Sequence, residues 1–251
     1  MNASMTATRL VLQLAIATTA LSSALSAQSS GNGFLFGPPI GSIVVRGGYA
    51  LATANSDLFS FTSRQLTLSR RDFSSPVVET DLAVGLSARA DAVLTASYAG
   101  ITRNSEFRDF VDQDDKPIEQ TTTFQRVPVT LAVRGYLKSR GRSVGRFAWI
   151  PARFAPYVGA GAGMVWYRFR QQGDLIDFNT NDVFAATLES SGWTPAATAT
   201  VGAEYTVTPR LALTGQGNYL WARGNLNGDF SGFNRIDLSG LSATAGLLVR
   251  F

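Results

Sequence analysis

Eight runs of alternating residues, joined by connections that are short and long in turn, constrain this chain more than any other feature. The runs are GSIVVRGGYALAT (41–53), VVETDLAVGLSARA (77–90), AVLTASYAGIT (92–102), FQRVPVTLAVRGYL (124–137), APYVGAGAGMVWYRF (155–169), PAATATVGAEYTV (195–207), RLALTGQGNYLWA (210–222) and IDLSGLSATAGLLVRF (236–251). A period of two places successive side chains on opposite faces of a strand. The links after runs two and six are minimal, at Ala90-Asp91 and around Pro209, whereas those after runs one, three, five and seven are long and polar. Short turns at one end and long loops at the other predict an all-β fold, an eight-stranded antiparallel up-and-down transmembrane β-barrel. One link breaks the rule: KSRGRSVGRFAWIPARF (138–154) is long and basic where a short turn is expected.

The two faces say which side meets lipid. In run six, Ala197, Ala199, Val201, Ala203 and Tyr205 alternate with Thr198, Thr200, Gly202, Glu204 and Thr206. In run four, Val127, Val129, Leu131 and Val133 alternate with Pro128, Thr130, Ala132 and Arg134; in run two, Leu82, Val84 and Leu86 alternate with Asp81, Ala83, Gly85 and Ser87. The charge-free face is predicted to face lipid and the small, polar face the interior. A soluble eight-stranded cup would reverse this, with large apolar residues inside and charge outside. The alternate glycines of GAGAG (159–163) are expected to leave room for bulkier neighbours across a narrow lumen. Aromatics near strand ends, namely Tyr49, Tyr98, Tyr136, Tyr157, Trp166, Tyr167, Tyr205, Tyr219, Trp221 and Phe251, are expected in interfacial girdles.

The N-terminus reads as an export signal. Arg9 is followed by an apolar core from Leu10 to about Leu21 and by the small-residue run SSALSAQ, which places cleavage after Ala27 or nearby. That core is short of the roughly 20 residues a membrane-spanning helix needs. The expected organisation is a signal peptide at 1–27, a periplasmic N-terminal segment at 28–40 and the barrel at 41–251.

Cysteine and histidine are both absent, which removes disulfides, thiol chemistry, Cys/His metal sites and imidazole acid–base catalysis. The formal charge of +4 is not gathered into a run with interleaved aromatics, so no nucleic-acid partner is expected. Lys116 and Lys138, the bases that could activate a hydroxyl nucleophile, fall in connections. Asp112, Asp114 and Asp115 could hold a divalent cation but lack the spacing of a calcium loop, and are expected at a solvated loop tip. No enzymatic activity, metal or cofactor is expected.

Asp81, Arg134 and Glu204 are predicted to point into the lumen, with Arg46 and Glu79 nearer the outer ends of their strands. Two uses fit them, a gated polar path or a salt-bridge network filling the core; the second is expected, since a buried charge must be paired. Tyr167, Phe169, Phe178, Phe184, Trp193 and Phe230 could converge into an apolar ligand region under the loops, or serve as girdle and loop core. NDVFAATLES (181–190) could form a short helix within a loop, and LFSFTSRQLTL (58–68) is expected as a hairpin extension above the membrane. Ten strands result if 58–68 and a partner cross instead.

With these features and the ending GLLVRF, the chain resembles the small bacterial outer-membrane β-barrel proteins, the OmpA-like, OmpX-like and OmpW-like group. The resemblance covers roughly 41–251. It implies that Phe251, with Val249, Leu247, Ala245 and Ala243 before it, is read by the barrel-assembly machinery. It also implies a monomer in the outer membrane, in contact with its lipid and lipopolysaccharide, with loops outward and both termini in the periplasm. No wall-binding domain is expected beyond the last strand. Barrels of this size serve structural, adhesive, transport and enzymatic ends alike, so the resemblance leaves function open between a structural or surface-interaction role and a porin-like passage or binding of small hydrophobic molecules.

Overall fold

The computed structural model describes residues 33–111, 115–176 and 183–251; the signal segment, Asp112, Asp114 and Phe178 lie outside the described residues. Eight strands form one ring: β1 (Gly41–Ala52), β2 (Ser75–Ser87), β3 (Ala90–Val111), β4 (Pro117–Tyr136), β5 (Phe154–Ile176), β6 (Val183–Thr206), β7 (Leu211–Gly224) and β8 (Gly240–Arg250). Each pairs antiparallel with the next, and β8 pairs with β1 from Gly240↔Ala52 to Arg250↔Ser42, which closes the barrel. A twelve-residue strand such as β1 is about 40 Å long and, tilted near 45°, crosses roughly 28 Å, the depth of a hydrocarbon core.

Parity decides the two faces. Val45, Leu82, Leu131, Val201, Leu213 and Leu247 all point outward and are each 44–62 % exposed, while Asp81, Thr130, Arg134 and Glu204 on the alternate positions are buried. Each such aliphatic left in water forgoes roughly 1 kcal/mol of the stabilisation burial would give. A ring of them around a charged interior is the transmembrane β-barrel arrangement, apolar outside and polar inside. Among the described residues no helix is long and apolar enough to cross a membrane; the crossing is made by strands.

Several expectations are corrected. The first short turn is Ala88-Arg89, not Ala90-Asp91: β2 ends at Ser87 after a β-bulge between Gly85 and Ser87, and β3 already begins at Ala90, which pairs with Ser87. Asp91 is a fully buried strand residue opposite Gly85, turned inward to Arg140. Residues 58–68 neither cross nor form a hairpin: α1 (Asp57–Gln65) fills most of that stretch. Its buried residues Leu58, Phe59 and Thr62, with Leu66 just beyond, follow a helical spacing and seat one face on the barrel mouth. Residues 183–190 are strand rather than helix. Tyr136, Tyr157 and Tyr167 are buried inside, whereas Tyr49, Tyr98, Tyr205 and Trp221 are exposed on the outer face. The interior glycines of 159–163 answer a nearer need than space across the lumen. A Cβ at Gly161 or Gly163 would strike the carbonyl oxygen of Leu131 or Val129 on the adjoining β4.

The ends differ. At the long-loop end β3 to β6 continue far past the last β2–β3 pair at Val77↔Ala99 and the last β6–β7 pair at Ala222↔Ala196, so half of the barrel is drawn up into a tall curved wall. Its free edges are covered: Thr67 N–H donates to the Glu106 carbonyl at 2.9 Å, and Glu189 N–H donates to Asp229 at 3.0 Å. At the short-turn end, 138–154 forms a hairpin of Gly141–Val144 and Ala148–Pro151, onto which Leu35–Phe36 adds a third strand.

Candidate functional site

Two tiers fill the interior. The lower, toward the short-turn end, is a charge network. Arg46 Nη2 lies 2.5 Å from both Glu79 Oε1 and Asp81 Oδ2, and Arg134 Nη2 lies 2.6 Å from the same Asp81 oxygen. Thr95 donates to the other oxygen of Asp81 at 2.8 Å. Glu204 binds Arg250 at 3.0 Å and receives the Tyr136 hydroxyl at 2.6 Å, with Arg134 Nη1 at 4.0 Å. Asp91 pairs with Arg140 at 2.9 Å, and Gln216 donates to Glu79 at 3.1 Å while accepting from Tyr157 at 3.0 Å. Asp81, Arg134 and Glu204 thus meet in one network. Arg46 and Glu79 belong to the same network and sit directly opposite each other in the β1–β2 register, not toward the strand ends. Bracketing each charge with opposite charge and hydrogen bonds offsets the cost of taking it out of water. The cavity left between Glu79, Thr130, Thr198 and Gln216 is about 20 Å³, room for roughly one water molecule.

The upper tier is apolar. Phe59 of α1 meets Phe73, Phe124 and Phe169 at ring-centroid distances of 4.7, 5.3 and 5.8 Å, and Phe230 meets Phe169 edge to face at 5.3 Å. Ile236, Leu238, Val165 and Tyr167 complete the same buried cluster, which plugs the mouth. Between the tiers Arg126 is buried, its Nη1 donating to the Leu238 carbonyl at 2.9 Å. The sequence reading missed Arg126, Asp91 and Arg250. Arg250 and Arg126 were readable, since they share the parity of Thr244 and Leu248 and of Thr130 and Arg134; Asp91 was hidden because it was read as a turn residue.

The expected apolar region divides. Tyr167 and Phe169 are plug residues, and the Tyr167 hydroxyl is held by the Asn225 carbonyl at 2.5 Å. Trp193 lies opposite Trp166 on the outer face and is 58 % exposed. Phe178 falls outside the described residues. Above the plug, a cleft of about 300 Å³ opens between α1 and the tall wall, lined by Phe61, Leu66, Phe107, Phe184, Leu188 and Phe233. Thr62, buried on the same wall of α1, has a hydroxyl without a hydrogen-bond partner among the described residues.

The interruption in the β3–β4 ladder does not adjoin this cleft. The β3–β4 ladder skips Ser97 and Tyr98, opposite Val127 and Pro128, where proline has no N–H to give. Gln120, on the cleft wall, is eight residues before Pro128 in β4, about 27 Å away toward the long-loop end. The aromatic plug lies between.

Neither a scan against protein-family models nor a search of curated proteins finds a match. Solved structures similar to this chain are small outer-membrane barrels. A major outer membrane protein from Thermus thermophilus aligns at 11 % identity and TM-score 0.49, covering 84 % of this chain and 99 % of its own. OprG from Pseudomonas aeruginosa aligns at 15 % and 0.46, covering 86 % and 98 %, and Neisserial surface protein A at 14 % and 0.44, covering 84 % and 99 %.

Proposed function

We propose that the chain is an integral monomeric protein of a bacterial outer membrane, with its long loops outward, and that it acts as a sealed structural and surface-contact barrel rather than a pore or an enzyme. The observation that carries this reading is the filled lumen: paired charges below, an aromatic plug above, and a residual cavity of about 20 Å³. Solute passage needs a continuous path, and two packed tiers interrupt it. The lower-tier carboxylates Glu79, Asp81, Asp91 and Glu204 are each engaged by an arginine, which makes them poor general bases.

External contact falls to the tall wall. Above the Trp166–Trp193 pair its outer face presents Arg168, which is 2.7 Å from Glu189, and then Arg170. Guanidinium groups just beyond an aromatic girdle suit the phosphates of lipopolysaccharide. Fractionation tests location: the protein should sediment with the outer membrane, resist mild detergent and migrate faster unboiled than boiled. Recovery as a soluble periplasmic monomer would overturn the reading.

A second reading, binding of small apolar molecules, is favoured by one observation, the cleft beside Leu188 and Phe233. Its volume is at the low end for ligand pockets. In amphipol, Leu188→Asp should weaken binding of a fluorescent apolar probe at least about tenfold, the effect of roughly 1.4 kcal/mol. Equal binding by both proteins would sink it.

A further inference from the structure

We infer that the short-turn rim is a binding surface for the headgroups of anionic glycerophospholipids in the adjoining leaflet, seated chiefly on Lys138, Arg142, Arg146 and Arg153. The inference rests on the membrane-spanning reading of the barrel.

Charge is distributed unequally along the barrel axis. Between Leu137 and Phe154 the chain carries Lys138, Arg140, Arg142, Arg146 and Arg153 and no acid, and the other two short turns add Arg89 and Arg210. The nearest carboxylates are withdrawn into the lumen, where Asp91 is taken by Arg140 and Glu204 by Arg250. Lys138, Arg142, Arg146 and Arg153 remain exposed.

Apolar side chains surround them. Leu137 (63 % exposed) and Phe154 (57 %) prolong the outward rows of β4 and β5, so the lipid-facing surface runs on into the hairpin, where Phe147 is 75 % exposed. Arg153 shows how such a site is built. Its Nε and Nη2 lie 3.0 and 2.8 Å from the hydroxyl of the outward-facing Tyr205, and its guanidinium sits 5.5 Å from that ring. A guanidinium held by a phenol at the edge of an apolar belt, beside an exposed phenylalanine, fits a phosphodiester whose acyl chains lie along the belt. A rim made only to stay in water would not need exposed Phe147, Phe154 and Leu137. A rim made only for apolar contact would not need four exposed cations. The combination fits an anionic membrane interface.

The test uses the full chain refolded into vesicles of phosphatidylcholine with added phosphatidylglycerol, followed by native mass spectrometry of the lipids retained after extraction. Heat-modifiable migration of every sample reports insertion and folding separately, so failure of the membrane reading is seen before the lipid result. The wild type should retain phosphatidylglycerol about fivefold above its bulk fraction. Lys138→Gln/Arg142→Gln/Arg146→Gln/Arg153→Gln should return it to near the bulk ratio. Arg64→Gln/Arg70→Gln/Arg71→Gln/Arg108→Gln, at the other end, should keep the enrichment. Retention at the bulk ratio by the folded wild type, or equal loss in both variants, overturns the inference.

Discussion

Asp81 on β2 and Arg134 on β4 meet inside the barrel with 2.6 Å between Oδ2 and Nη2, past the intervening β3. The same oxygen is 2.5 Å from Arg46 Nη2, so one carboxylate holds two guanidinium groups together. Asp81→Asn should destabilise the barrel by about 3–5 kcal/mol, the cost of leaving buried charge uncompensated. Urea unfolding in micelles, followed by gel mobility, measures it. The double variant Asp81→Asn/Arg134→Met should recover part of the loss, because Arg46 keeps Glu79 and Glu204 keeps Arg250. A double variant as unstable as the sum of its singles would show that the pair acts independently.

The plug makes a separate prediction. Phe59 is fully buried among Phe73, Phe124 and Phe169. Phe59→Ala should cost about 3–5 kcal/mol, concentrated in the loop tier. Limited proteolysis should cut within 53–75 while the strand ring, read by gel mobility, persists. Loss of the whole barrel would contradict two separable tiers.

The C-terminus closes the ring. Phe251 N–H donates to the Gly41 carbonyl at 3.0 Å, and its own carbonyl receives Ile40 N–H at 2.9 Å. Phe251→Asp is expected to reduce assembled protein and raise its degradation in the periplasm. The direct cost of a charge on the lipid face is only about 0–4 kcal/mol, depending on depth. Normal assembly of the variant would reduce the role of Phe251, Val249 and Leu247 to strand packing.

Outside the membrane, Asp72 offers a pH test. The Ser69 side chain and backbone donate to its carboxylate and hold its pKa below the ordinary aspartate value of 3.8. A depressed carboxylate contributes stability that is complete above the unfolded pKa and lost as pH falls through the folded one. The 69–72 turn should therefore persist at neutral pH and loosen only below 3.8. NMR titration of the Asp72 carboxyl should give a midpoint under that value, raised by Ser69→Ala. A midpoint at or above it would contradict the capping hydrogen bonds.

What the sequence revealed follows from where period two is informative. In β4, Leu131 and Val133 face lipid while Thr130 and Arg134 face the lumen, and that contrast marks both the strand and its face. Above the membrane it fades, because both faces of the wall meet polar groups: Thr121 and Thr123 on one side, Gln120 and Thr122 on the other. The strands therefore run on through stretches that read as loops. The α1 signal was short, and Leu58, Phe59 and Phe61 suit a strand as readily as a helix until tertiary packing chooses. Asp91 was misplaced because an aspartate between two alternating runs reads as a turn residue, while Arg140, which pairs with it inside, lies far along the chain. The apolar residues Tyr167, Phe169 and Trp193 alternate on adjoining strands, and the parity that separates plug from girdle depends on that same pairing.

The sealed lumen is tested most directly by electrical recording from the refolded protein in a planar lipid bilayer. The two tiers predict insertion, verified by gel mobility of the same preparation, with no steady conductance above the bare membrane. Large, persistent conductance steps from the folded wild type would contradict both the filled interior and the functional reading built on it.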